Sequence, residues 1–83
     1  MNDLNFVKLM NQIYTNLMIL KNNQENTELY NEVEDELLSL NDLINDAKIP
    51  NDVYSKVVKF HHGCSLIHAS LNIKKEKNNY KNI

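Results

Sequence analysis

A chain of 83 residues can build one hydrophobic core and cannot divide itself between two. Its single glycine, proline and cysteine exclude a many-turned β-sandwich, a glycine-rich phosphate loop and a disulfide closed within the chain. Nine lysines against eleven acidic residues leave a net charge of −2, with no arginine to make the forked contacts that phosphate and guanine favour, so nucleic acid is not the expected partner.

The first apolar stripe is Phe6, Met10, Ile13, Leu17 and Leu20, spaced four, three, four and three. That spacing predicts a helix over about 3–21, started by Asn2 or Asp3 and ended by the polar run Lys21 to Asn26. A second stripe, Tyr30, Val33, Leu37, Leu40, Ile44 and Ala47, predicts a helix over about 27–47. Asn26 or Thr27 caps it, Glu28 suits its first turn, and Pro50 prevents it from continuing. The third stripe, Val53, Val57, Phe60, Cys64, Ile67 and Leu71, predicts a helix over about 51–73 that begins near Asn51 or Asp52. Residues 74–83 show no apolar period and read as a polar, flexible tail, with Tyr80 and Ile83 as late contacts.

Three heptad-like stripes with short connections predict an all-α fold, either a small antiparallel three-helix bundle or an oligomeric helical hairpin, as one domain over residues 1–73. No stretch reaches the roughly 20 uncharged apolar residues that cross a bilayer, and no signal-peptide pattern opens the chain, so a cytoplasmic protein without membrane contact is expected. Apolar residues also lie beside the main stripes: Val7, Tyr14 and Met18, then Leu38 and Leu43, then Tyr54, Val58 and Leu66. Apolar surface left over on so short a chain points to a protein partner, a homo-oligomer or both.

Four constellations are candidates for function. His61, Cys64 and His68 share one helical face and resemble zinc ligands, but His61 and His68 stand roughly 10 Å apart along the axis and no second cluster completes the set. No metal is expected, and Cys64 reads as a small buried hydrophobe. Cys64 with a neighbouring histidine also falls short of a nucleophile and base, because mid-helix N–H groups are committed to the helix ladder and cannot form an oxyanion hole. The chain is therefore expected to be no enzyme and to carry no cofactor. Gly63 inside a helix costs about 1 kcal/mol relative to alanine. With Ser70 one heptad later it suggests close approach by another helix or a ligand, and Lys56, Lys59 and His62 beside it would suit a small anion. Lastly, residues 1–50 carry a net −6 and residues 51–83 a net +4, and Glu28, Glu32, Asp35 and Glu36 form an acidic face that could dock a basic protein patch.

From Leu40 onward the order is an apolar helix, a linker with Pro50, then Val57-Val58-Lys59-Phe60-His61-His62-Gly63-Cys64-Ser65-Leu66. Over about 35 residues this resembles the helical-hairpin domain of phage anti-CBASS sponges, in which a polar residue precedes a mid-helix glycine and an apolar run follows. His62 stands where that family has glutamine and Cys64-Ser65 where it has Phe-Met, so the resemblance assigns no ligand-binding residue. It implies a small helical oligomer of phage or mobile-element origin with a counter-defence role, holding a cyclic oligonucleotide between protomers. The residues alone describe a non-catalytic helical binding module, and an inhibitor or immunity protein or a structural or chaperone subunit would satisfy them equally.

Overall fold

A computed structural model describes the backbone of residues 5–81 and the side chains of residues 5–71. It is the all-α bundle: α1 (Asn5–Asn22), α2 (Thr27–Asn45) and α3 (Asn51–Lys81), with no strand among the described residues. The molecule measures 50 × 18 × 17 Å. Its long dimension is set by α3, whose 31 residues span about 46 Å at 1.5 Å per residue.

The first two stripes face inward. Phe6, Ile13, Leu17 and Leu20 of α1 and Val33, Leu37 and Leu40 of α2 are buried against one another, with Met10, Tyr30 and Ile44 partly covered at the margins. The turn between these helices is short because Asn26 caps α2, its side-chain oxygen accepting a hydrogen bond from the Leu29 amide at 3.0 Å. Among the described residues no helix is long and apolar enough to cross a membrane.

The α2 end differs from expectation. The helix stops at Asn45, and Ala47 is an exposed turn residue with φ of 58°, outside the stripe. The Ala47 amide donates to the Ile44 carbonyl at 3.3 Å and the Lys48 amide to the Leu43 carbonyl at 2.9 Å. These two bonds form a Schellman cap, which requires a left-handed residue and usually takes glycine. The cap turns the chain so that Ile49, which belongs to no periodic stripe, is buried as a plug at the end of the core.

The third stripe is rotated from its predicted line. Val57, Cys64 and Leu71 are buried and Phe60 is half-buried, but Ile67 is 37% exposed while His68 is only 7% exposed. Beyond Leu71 the backbone stays helical to Lys81, past the end near residue 73 that loss of apolar period suggests. Lysine and glutamate are good helix formers, and this segment holds neither glycine nor proline to end the helix.

Two stability measurements test this packing. Leu40→Ala, at a fully buried position, should cost about 2–5 kcal/mol in urea unfolding, and Ile67→Ala distinctly less. Ala47→Gly should raise stability by a few tenths to about 1 kcal/mol, as glycine relieves the left-handed strain and gives back part of the gain through its more flexible unfolded state.

Candidate functional site

The α2–α3 seam explains the histidines. Nε2 of His61 donates to the Leu37 carbonyl at 3.0 Å, and Nε2 of His68 donates to the Tyr30 carbonyl at 3.0 Å. A step of seven residues along α3 is matched by a step of seven back along α2, so the two bonds fix one antiparallel register. His68 also stacks on the Tyr30 ring, with centroids 3.9 Å apart and planes 22° from parallel. Each imidazole thus joins two helices, and among the described residues no group of three His, Cys, Asp or Glu side chains gathers into a metal site. Cys64 is buried between the two histidines along the helix, and burial pushes its thiol above the ordinary cysteine range. That is the opposite of what activates a thiolate nucleophile.

The acidic face divides. Glu28, Glu32 and Asp35 are exposed, whereas Glu36 is half-buried and turned toward α1. The Asn16 amide donates to both Glu36 oxygens at 3.1 Å and to Glu32 at 3.2 Å. Glu36 is therefore part of the α1–α2 packing and does not belong to an outward docking face as the sequence suggested. The reason is helical geometry: Glu36 lies one residue from buried Leu37 on the side of α2 that meets α1. Burial raises the Glu36 carboxyl above the ordinary glutamate range, the Asn16 hydrogen bond opposes this, and the Glu32 charge adds to the rise.

On α3, Lys56, Lys59, His62, Gly63 and Ser70 are all exposed. Lys56, Lys59, Gly63 and Ser70 follow one another at steps of three, four and seven, which places them on a single strip facing away from the core, with His62 at its edge. Leu66 completes the strip between Gly63 and Ser70 and is 59% exposed. A Cβ built on Gly63 would meet nothing within 4 Å, so no neighbouring helix of this chain approaches it. Close helix packing inside the bundle, which the glycine suggested, is thereby corrected: the space above Gly63 is open. A shallow depression at the α1–α2 turn is lined by Lys21 to Asn26.

Sequence pattern alone left Leu66 as a flanking apolar residue, because the rotation of α3 is set by the histidine bonds and not by the apolar spacing. No family model matches this chain, and no curated protein or solved structure matches it either.

Two outcomes follow from this geometry. Gly63→Ala should stabilise the isolated chain by a few tenths to about 1 kcal/mol in urea unfolding at low protein concentration, since the methyl enters open space and improves helix propensity. Glu36→Gln should stabilise the protein at neutral pH and lose that advantage in acid. A carboxyl whose folded pKa is raised disfavours folding while it is ionised, and protonation as pH falls through that pKa removes the penalty, as a pH series of unfolding midpoints would show.

Proposed function

We propose that this protein is a non-catalytic helical binding module that engages a protein partner through the outward face of α3. The observation that supports this reading is Gly63 itself. It weakens the middle of the longest helix by about 1 kcal/mol, and no contact within the chain uses the space it leaves. The same strip exposes Leu66 between polar neighbours and carries Lys59 one turn from the glycine, a combination suited to close approach by an external helix. The buried Cys64 and the carbonyl-bound His61 and His68 leave no reactive set on this face.

A second reading takes the ligand to be a cyclic oligonucleotide held against Lys56, Lys59 and His62, in the manner of the anti-CBASS sponges. It is favoured by one feature, the open space over Gly63 beside two exposed lysines, on a helix other than the one that carries the exposed acids Glu28, Glu32 and Asp35. In both readings the module acts by occupancy, as an inhibitor or sequestering protein does.

The test is a nitrogen–proton correlation spectrum of labelled protein at low concentration, recorded with and without unlabelled extract of the native host. Signals of Lys59, His62, Gly63 and Leu66 should broaden or shift, while that of Thr15 on the outer side of α1 should not. Unchanged α3 signals in extract, under a panel of cyclic dinucleotides and trinucleotides, and on addition of unlabelled protein to several hundred micromolar would overturn the proposal. Selective shifts at Lys56, Lys59 and His62 with one nucleotide would establish the second reading in place of the first.

A further inference from the structure

We infer that the helix received by the α3 strip is α2 of a second copy of this chain, an inference that rests on the binding-module reading and names its partner. The outward face of α3 carries Lys56, Lys59, Gly63, Leu66 and Ser70 at steps of three, four, three and four. The outward face of α2 carries Glu28, Asn31, Asp35, Leu38, Asp42 and Asn45 at steps of three, four, three, four and three. All eleven positions are exposed, and none enters a side-chain hydrogen bond within the chain among the described residues. Steps that alternate between three and four follow the period at which two helices keep one seam in contact over several turns. These are therefore second seams, on the sides of α2 and α3 that the bundle core does not use.

The two seams are complementary in charge and in shape. That of α3 offers two lysines and no acid, while that of α2 offers three acids and no base. Each has one large apolar residue, Leu66 at 59% exposure and Leu38 at 57%. In an antiparallel pairing, Leu38 of the second copy enters the hole framed by Lys59, His62, Gly63 and Leu66. Gly63 forms the floor of that hole, and its missing side chain is what makes room for a leucine. The same register sets Lys59 beside Asp42 of the copy, and Lys56 beside Asn45 and Asp46. It also lays both lysines along the C-terminal turns of α2, where the helix dipole presents its negative end. The antiparallel direction is chosen for that reason. Because the two seams are unlike surfaces, the contact either closes reciprocally in a dimer or runs head to tail into a ring.

The experiment is size-exclusion chromatography with light scattering over a concentration series reaching several hundred micromolar. The native chain should exceed its 9.7 kDa monomer mass at the upper end and return toward it on dilution or in high salt. Lys56→Glu with Lys59→Glu, and separately Asp42→Lys with Asp46→Lys, should each remain at the monomer mass while keeping the native helical circular dichroism spectrum, all four positions being exposed. An equimolar mixture of the two double variants should recover the higher mass, since each supplies the charge the other's seam has lost. A native chain that stays monomeric throughout overturns the inference, as does a mass indifferent to the charge reversals or a mixture that does not recover. The α3 spectra in extract decide the binding-module reading independently: shifts there with a monomeric native chain would retain that reading and remove only the second copy as partner.

Discussion

The rotation of α3 about its own axis decides what this molecule presents to its surroundings, and two histidine bonds to α2 set it. Apolar burial constrains α3 only loosely, because both Ile67 and His68 lie near the line from Cys64 to Leu71 and either could face the core. The Leu37 and Tyr30 carbonyls already accept the helical bonds of α2, and they use their second lone pair for the imidazoles. Burying a ring nitrogen without such a partner would cost about 1–3 kcal/mol, so the rotation that satisfies His61 and His68 together is preferred to one that buries Ile67. Once α3 is turned in this way, Gly63, Leu66 and the two lysines point outward.

The helices themselves were legible in the residues. Phe6, Ile13, Leu17 and Leu20, and likewise Val33, Leu37 and Leu40, lie inward because α1 and α2 bury uninterrupted apolar stripes, with the Asn16–Glu36 hydrogen bonds at the margin of the seam. The apolar period points inward at Ile67, where a polar ring displaces an aliphatic side chain, and at Ala47, where backbone hydrogen bonding at the helix end overrides the apparent stripe. Ile49 was invisible to it, since a residue buried from a connection carries no period. At the candidate site, Lys56, Lys59, His62, Gly63 and Ser70 were chosen on spacing and do lie on one exposed side of α3, whereas Glu36 could be assigned to α1 packing only once the Asn16 side chain was located.

Burial also acts unevenly on the ionisable groups. Glu36 and Cys64 are each shifted toward their neutral forms by loss of water, and both sit at contacts between helices. The acids on the outer side of α2 keep their access to solvent, so the charge that the core does not tolerate is concentrated on one exposed strip. A field of that kind acts at a distance of about 8–10 Å in physiological salt and orients an approaching basic surface before contact.

The cap at the end of α2 has a further consequence for how the chain can be rewired. Many helical bundles exchange elements by straightening the link between two helices into a single rod. Here Ala47 holds a left-handed turn that a relaxed helix would abolish, and that strain favours straightening; but Pro50 lacks the amide and the clearance a continuous helix needs at that point. The corner is thus under tension and barred from release in the one direction that would lengthen the rod. Exchange of α3 between copies through a continuous α2–α3 rod would therefore carry the cost of an interior proline, about 3 kcal/mol, besides the loss of both histidine bonds.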